Sequence, residues 1–195
     1  MRTVHNRYYA LRHGISIANE AGIVVSHPEN GVAGWGLSDQ GTAECRRRLA
    51  PARLSAHGFN KSDTIVYTSD FLRAMQTARI FCESIGLEDP ISDIRLRERN
   101  FGRFENTSIA AYDRVWERDV DDDSHSFEGC ESTAALAQRL TELLDDLERR
   151  WRDKKIVLVS HGDPLQVLQT ILLGLKCNQH RSLPHLENAE VRKIS

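Results

Sequence analysis

The sequence predicts an α/β protein, a three-layer α/β/α sandwich whose central sheet is mostly parallel. Predicted strands alternate with predicted helices along the chain, which is the order of a layered α/β fold. The run "IVLVS" at residues 156–160 is almost entirely apolar, which is typical of a parallel strand buried on both faces. We expect the whole chain, residues 1–195, to form a single domain.

The first half of the chain predicts strands and helices in alternation. Short runs rich in β-branched or aromatic residues predict strands: "RYYAL" (7–11), "TIVYT" (64–68) and "PISDI" (90–94). Breaker residues predict a loop over residues 20–37, and Ser38 then suits the N-cap of a helix that runs to about Leu54. Another helix follows "TIVYT", because apolar residues recur there at helical spacing, and Asp70 is its predicted N-cap.

The second half continues the alternation. Helices are predicted over residues 107–119, 132–152 and 163 to about 173, and strands over 156–160 and 188–194. The longest of these helices carries an apolar stripe of leucines on one face. At the start of the last helix, Asp163 suits the N-cap and Pro164 the first helical position.

Composition narrows the class of protein. The formal net charge is −2, so no overall basic field favours nucleic acid or an anionic membrane surface as a partner. The cysteines are far apart and form no CxxC pair, so neither a zinc site nor a redox motif is indicated. The N-terminal "MRTVHNRYYA" has no apolar core of a signal peptide. We therefore expect a cytoplasmic protein with reduced thiols and no membrane segment.

Cationic and imidazole side chains follow two of the predicted strands. Arg12 and His13 end the first strand, and His161 follows the strand at 156–160. Arg73 begins the helix after "TIVYT". Because the carboxyl ends of parallel strands meet at the same edge of a sheet, we expect these residues to converge on one crevice.

Such a crevice suits a phosphate monoester. Each arginine can hold phosphoryl oxygens in a bidentate way, and backbone amides beside Gly14 and Gly162 can add donors. One imidazole can act as a nucleophile toward phosphorus and the other as a charged hydrogen-bond donor. These groups would neutralise the phosphoryl group without magnesium, and the sequence has no Walker A loop and no paired-aspartate metal site. We expect no metal and no cofactor.

Sequence blocks around these residues resemble those of the histidine phosphatase superfamily, also called phosphoglycerate mutase-like. They occur in the family's order: "RHG" (12–14), "SDFLRAMQTA" (69–78), "LRERNFGRFE" (96–105) and "SHGDP" (160–164). "RHG" alone is a weak signal, whereas the ordered set is a strong one. The resemblance extends from about residue 7 to the end of the chain and implies the phosphoglycerate mutase-like fold.

The resemblance also implies a mechanism. His13 attacks phosphorus and forms a phosphohistidine, while Arg12, Arg73 and His161 hold the phosphoryl oxygens. Glu98 protonates the leaving oxygen and then deprotonates the water that hydrolyses the intermediate. Burial in the crevice would raise the pKa of Glu98, as an acid near neutral pH requires.

Alternatives remain open for some residues. Asn19 matches a position that often contacts the phosphate in the family, but it also suits a plain turn. Glu98 lies among arginines and could simply form ion pairs. Asp163 is an alternative acid, since one branch of the family uses an aspartate directly after the second histidine, whereas here Gly162 intervenes after His161.

The sequence departs from the family pattern at several points. Ile15 stands where many relatives have glutamate, and Asn106 stands where glycine is common. Ile109 occupies the position of a substrate-binding lysine of the phosphoglycerate mutases, and residues 104–128 contain no Arg-Arg pair. The segment is acidic instead, with "DVDDD" at 119–123. These departures favour a phosphatase over a mutase.

We therefore expect a metal-independent phosphomonoesterase that acts on a small phosphorylated substrate. A phosphoglycerate mutase and a non-catalytic phospho-ligand scaffold are the alternatives, and Glu98 speaks against the scaffold. Residues 20–37 and 103–128 are the predicted pocket walls, with Trp35 either lining the pocket or packing elsewhere. Sugar phosphates, sugar bisphosphates and phosphoproteins all remain candidate substrates, and the sequence sets no oligomeric state. The remaining histidines are predicted on the surface: His5, His27, His57, His125, His180 and His185.

Overall fold

The computed structural model describes residues 2–195, and a five-stranded sheet lies at the centre of the fold. Its strands are β1 (Arg7–Arg12), β2 (Thr64–Thr68), β3 (Ile91–Ser92), β4 (Lys155–Ser160) and β5 (Val191–Lys193). They lie in the order β3-β2-β4-β1-β5. All neighbours are parallel except β5, which pairs antiparallel with β1. The predicted mostly parallel sheet is confirmed.

Helices cover both faces of this sheet. They are α1 (Ile17–Ala21), α2 (Pro28–Gly31), α3 (Asp39–Arg48), α4 (Pro51–Leu54), α5 (Leu72–Ile85), α6 (Ala111–Asp121), α7 (Thr133–Arg150) and α8 (Gly162–Leu173). Helices α7 and α8 share a core with Tyr8 and Leu158, whereas α3 and α5 share a core with Tyr9 and Val159. Because successive strand residues point to opposite faces, β1 and β4 contribute to both cores. The three-layer α/β/α sandwich is confirmed.

Several element bounds differ from the prediction. The helix predicted to run to Leu54 is interrupted, because Pro51 has no backbone N–H to donate and Ala50 before it is extended. The predicted loop over residues 20–37 contains the short helix α2. Helix α6 begins only at Ala111, and the predicted strand "PISDI" is paired over two residues.

Both aspartates predicted as N-caps have other roles. Helix α5 is preceded by Phe71 at its N-cap, and Asp70 instead accepts two hydrogen bonds from Arg97, at 2.8 and 2.6 Å. Helix α8 has His161 at its N-cap, so Asp163 lies inside its first turn. In each case the carboxylate binds a buried or half-buried arginine or tryptophan side chain instead of capping the helix.

A third, smaller apolar cluster connects the segments beside the carboxyl edge of the sheet. Its buried members are Val24, Phe101, Phe104, Ala111, Val115 and Cys130. They join the segment after α1, the 101–104 loop and helix α6 into one unit. No helix within residues 2–195 has the length and apolar character needed to cross a membrane.

Candidate active site

The carboxyl ends of β1 and β4 bring two histidines side by side. Arg12 pairs with Ser160 in the parallel register of these strands, so His13 and His161 leave the sheet together. Their ring centroids lie 5.1 Å apart, and the backbone N–H of His13 donates to the Ser160 carbonyl at 3.0 Å. The predicted convergence at one sheet edge is observed.

His13 is buried and is held in one tautomer. Its Nδ1 lies 2.7 Å from the Gly14 carbonyl oxygen, which can only accept, so Nδ1 carries the proton. Arg73 donates from Nε to His13 Nε2 at 3.2 Å. Burial, followed by the charges of Arg73 and Arg12, holds the pKa of His13 well below its usual range. His13 is therefore neutral, with the lone pair on Nε2.

His161 is oriented by a matching set of contacts. Arg73 Nε also donates to His161 Nδ1 at 3.2 Å, and His161 Nε2 donates to Ser69 Oγ at 3.0 Å. The Phe71 ring packs edge-on against the imidazole at 5.2 Å between centroids. Burial and the Arg73 charge hold the pKa of His161 well below its usual range. His161 is therefore neutral, with one ring nitrogen that donates and one that accepts, whereas the sequence predicts a charged donor.

The two arginines keep buried nitrogens without a protein partner. Arg73 donates from Nη2 to the Val25 carbonyl at 2.9 Å, while its Nη1 makes no hydrogen bond within residues 2–195. Arg12 donates from Nη1 to the Leu186 carbonyl at 2.9 Å and contacts His185 Nε2 at 2.6 Å, while its Nε is likewise unpartnered. An unpaired buried donor is costly, and a bound anion would satisfy both nitrogens.

Glu98 makes no ion pair within the described part of the chain, although arginines surround it in the sequence. Those arginines form ion pairs with other carboxylates: Arg95 with Asp93 and Asp146, Arg97 with Asp70, Arg99 with Asp119 and Asp163, and Arg103 with Glu128. Glu98 Oε1 accepts the backbone N–H of Arg99 at 2.9 Å. Burial, followed by the nearby Asp163 charge, raises the pKa of Glu98 to about 7.

A buried ionic network, which sequence reasoning misses, lies next to Glu98. Arg99 and Asp119 are fully buried and form two hydrogen bonds of 2.6 and 2.7 Å. Asp163 accepts from Arg99 Nη1 at 3.3 Å and from Trp116 Nε1 at 3.1 Å. His180 is also fully buried, with its Nε2 3.8 Å from Asp119, so its predicted surface position is wrong. The members are far apart in sequence, so no spacing reveals them.

The residues that converge here line a cavity of about 220 Å³. Seven of the site candidates that the sequence singles out line it: Arg12, His13, Asn19, Arg73, Glu98, Gly162 and Asp163. His161 lies behind them, in contact with Arg73. Asn19 Oδ1 accepts from the backbone N–H and the hydroxyl of Ser16 at 3.0 and 2.9 Å, which fixes the orientation of its amide.

The cavity walls come from the two predicted segments. Ile23 and Val25 belong to the segment 20–37, and Ile109, Tyr112 and Trp116 belong to the segment 103–128. Trp35 does not line the cavity, which leaves packing elsewhere as its predicted role. His185 is exposed, as the sequence predicts, and it also lines the cavity from the C-terminal segment. Phe101 also lines it, and no sequence signal marks that residue.

Gly14 is explained by a close approach between elements. A Cβ atom at this position would collide with Cys45 Sγ of helix α3 and would lie 3.2 Å from Leu37 Cδ2. The Gly14 backbone N–H donates to Thr77 Oγ1 of helix α5 at 3.0 Å. The turn after β1 is thus clamped between α3 and α5, which fixes the His13 backbone.

The sequence of this chain is similar to those of a known protein family. The profile of the histidine phosphatase superfamily, branch 1, matches residues 8–195, and the chain belongs to this family. The probable phosphoglycerate mutase GpmB of Yersinia enterocolitica (serotype O:8, biotype 1B) is 29% identical over 192 residues, which cover 95% of this chain and 83% of that protein. Proteins with this fold and these names are phosphatases and mutases, which supports a phosphoryl-transfer enzyme.

Solved structures share the fold. A mycobacterial glucosyl-3-phosphoglycerate phosphatase in complex with VO3 superposes with a TM-score of 0.78 at 26% identity, covering 97% of this chain and 92% of that chain. The same phosphatase with inorganic phosphate gives a TM-score of 0.73 at 27% identity, covering 97% and 89%. A putative alpha-ribazole-5'-P phosphatase from Escherichia coli, at 23% identity and a TM-score of 0.71 over 95% of this chain and 88% of that chain, supports the fold alone.

Proposed function

We propose that this protein is a metal-independent phosphatase that hydrolyses small phosphomonoesters through a phosphohistidine on His13. One observation carries the proposal. The unprotonated Nε2 of His13 lies in the same cavity lining as Arg12 and Arg73, each of which keeps a buried donor nitrogen unpartnered. A nucleophile beside unsatisfied cationic donors suits a phosphoryl group.

In the first step, the phosphoryl oxygens bind Arg12 Nε and Arg73 Nη1. His13 Nε2 attacks phosphorus, the Nε2–P bond forms and the P–O ester bond breaks. Glu98, with its pKa raised to about 7 by burial and by Asp163, gives its proton to the leaving oxygen. The proton on Nδ1 stays there, hydrogen-bonded to the Gly14 carbonyl oxygen, so the phosphorylated imidazole ring carries a positive charge.

In the second step, water hydrolyses the phosphohistidine. The Glu98 carboxylate takes a proton from water, whose oxygen attacks phosphorus as the Nε2–P bond breaks. The Gly162 backbone N–H, at the start of α8, donates to the phosphoryl oxygens through this exchange, and His161 does so once it is protonated and its ring exchanges a contact with Arg73 or Ser69 for a phosphoryl oxygen. A phosphoryl dianion beside His161 would raise the pKa of that imidazole and favour its role as a donor.

Phosphoglycerate mutase-type transfer is the second candidate, because the curated relative carries that name. A phosphoglycerate needs a partner for its carboxylate. Within residues 2–195, Arg12 and Arg73 are the only lysine or arginine residues that line the cavity, and both are needed for the phosphoryl group. Ile109 lies in the wall instead, which favours hydrolysis.

Buried free thiols such as Cys45 and Cys82 support the further proposal of a cytoplasmic location.

The test is phosphate release over a panel of phosphomonoesters in the presence of a chelator. The panel includes an aryl phosphate, phosphoglycerates, sugar mono- and bisphosphates and a phosphopeptide. We expect turnover that survives the chelator and is lost in His13→Ala. His57→Ala, a histidine outside the cavity lining, is the control and should retain turnover. A folded wild type that releases no phosphate from any member would overturn the proposal.

A further inference from the structure

The lining of the cavity falls into two chemical groups. The cationic and imidazole groups come from the carboxyl edge of the sheet, from α5 and, for His185, from the C-terminal segment. A second group is apolar or aromatic and comes from the wall segments and from Phe101 next to them: Ile23, Val25, Phe101, Ile109, Tyr112 and Trp116. A phosphomonoester also has two parts, a phosphoryl group and a leaving alcohol. The second group of residues is therefore the surface that an alcohol would contact.

The charges of this wall disfavour a second anion. Apart from Arg12 and Arg73, the charged side chains that line the cavity within residues 2–195 are the carboxylates Glu98 and Asp163. A carboxylate or second phosphate on the alcohol would lose hydration against apolar rings and would meet the like charge of Asp163, since Glu98 is protonated when it acts as the general acid. Arg181 does contact the wall, with its guanidinium 3.7 Å from the Trp116 ring, but it is outside the cavity lining and donates to Gln166 at 2.6 Å.

The aromatic part of the wall is held in place. Tyr112 and Trp116 stack with centroids 5.2 Å apart and an interplanar angle of 17°. Phe101 packs edge-on against Tyr112 at 4.6 Å, and Trp116 Nε1 donates to Asp163. Rings fixed on both sides form a preformed surface, which binds a flat apolar group with little loss of conformational entropy.

The cavity is small. Its volume of about 220 Å³ lies below the range of roughly 300–1,000 Å³ that drug-sized ligands occupy. Ile109 is 44% exposed although it lines the cavity, which places it where the site opens to solvent. A phosphoryl group and a single ring would fill this space.

We propose that the substrate is a small phosphomonoester whose phosphate is its only anionic group and whose leaving alcohol is uncharged. A ring on this alcohol packs its apolar face against the wall formed by Ile109, Tyr112 and Trp116. The proposal rests on the proposed phosphatase function and excludes phosphoglycerates and sugar bisphosphates as good substrates.

The test compares two synthetic esters that differ by one charge, benzyl phosphate and 4-carboxybenzyl phosphate. Their alcohols have similar acidity, so the chemical step is matched. We expect the wild type to prefer benzyl phosphate at least tenfold in kcat/KM, mainly through KM. Equal values, or a preference for the carboxylate, would overturn the substrate class.

A charge change at the wall sharpens the test. Ile109→Lys places a cation where the site opens, and we expect it to lower the preference for benzyl phosphate at least fivefold by improving use of the carboxylate. Ile109→Met keeps the wall uncharged and is expected to keep the wild-type order of the two substrates. A ratio in Ile109→Lys equal to that of the wild type would contradict the placement of the alcohol at this wall.

The two proposals fail in different ways. If neither these esters nor any member of the phosphomonoester panel releases phosphate in a His13-dependent manner, the phosphatase function itself is wrong, whereas His13-dependent turnover of panel members but of neither ester overturns the substrate class alone. If benzyl phosphate is hydrolysed by the wild type and not by His13→Ala, while the carboxylated ester is used as well or better, the function holds and only the substrate class is wrong. Thermal melts of each variant exclude misfolding as the cause.

Discussion

Arg73 connects the two histidines through one nitrogen. Its Nε donates to both His13 and His161, while its Nη2 donates to Val25. Lysine keeps the charge but has one nitrogen on a flexible stem, so it cannot make these contacts together. We expect Arg73→Lys to lower kcat/KM by about 100-fold, measured on an aryl phosphate. Arg79→Lys, exposed on the same helix, is the control, and near-wild-type activity of Arg73→Lys would rule out this role.

Glu98 should set the alkaline limb of the pH profile. A general acid must be protonated, so kcat/KM should fall as pH rises through about 7, the value to which burial and Asp163 raise the pKa of Glu98. Asp163→Asn removes a nearby negative charge, so the pKa of Glu98 should fall and the limb should move to lower pH.

The measurement is the pH dependence of kcat/KM for one substrate in wild type and variant, so that the titration of the substrate cancels. Asp113→Asn, exposed on α6, is the matched control and should leave the limb in place. A limb that does not move in Asp163→Asn would mean that Asp163 does not act on Glu98, or that another group provides the proton.

Some site residues could be predicted from the sequence and others could not, for a physical reason. Arg12, His13 and His161 directly follow or end apolar strand patterns, and neighbouring parallel strands fix where such residues meet. Arg99, Asp119 and His180 meet only because a loop, α6 and the segment after α8 pack together. In the sequence, Asp119 is simply part of an acidic run.

At the scale of elements, helix α3 depends on the absence of a side chain at Gly14. A methyl group there would collide with Cys45 Sγ. We expect Gly14→Ala to lower the free energy of unfolding by about 1–3 kcal/mol, the usual cost of overpacking. In a Cys45→Ala background the sulfur is gone and the same change should cost less. Denaturant unfolding of the wild type, the two single variants and the double variant measures this coupling. Strictly additive changes in the free energy of unfolding would contradict the collision.

Tertiary partners explain why two of the predicted N-caps are wrong, whereas the N-cap predicted at Ser38 is confirmed. Asp70 and Asp163 both have the chemistry of an N-cap. Arg97 binds the first with two hydrogen bonds, and Arg99 and Trp116 bind the second. A charged or buried partner stabilises a carboxylate more than a local backbone N–H does. The chain alone does not reveal such partners, whereas the break at Pro51 follows directly from the missing backbone donor.

At the scale of the whole molecule, the two cores share their central strands, so we propose that the chain unfolds as one unit. Leu143 lies in the core on one face of the sheet and Phe81 in the core on the other. Replacing either with alanine should lower stability by about 3 kcal/mol and shift the entire transition. Far-ultraviolet circular dichroism and tryptophan fluorescence should give coincident curves in both variants. Separate transitions would show that the two layers unfold independently.

Trp116 gives the molecule an optical probe at the place where a ligand would bind. It lines the cavity, and its indole N–H donates to Asp163, so a compound that reaches the wall alters the surroundings of the chromophore. His13→Ala would bind such a compound without consuming it. Fluorescence titration of that variant, with Trp116→Phe as the blank, would then give dissociation constants for any phosphate ester. The search for the physiological compound can begin with a spectrometer and a compound library, before any turnover assay has been chosen.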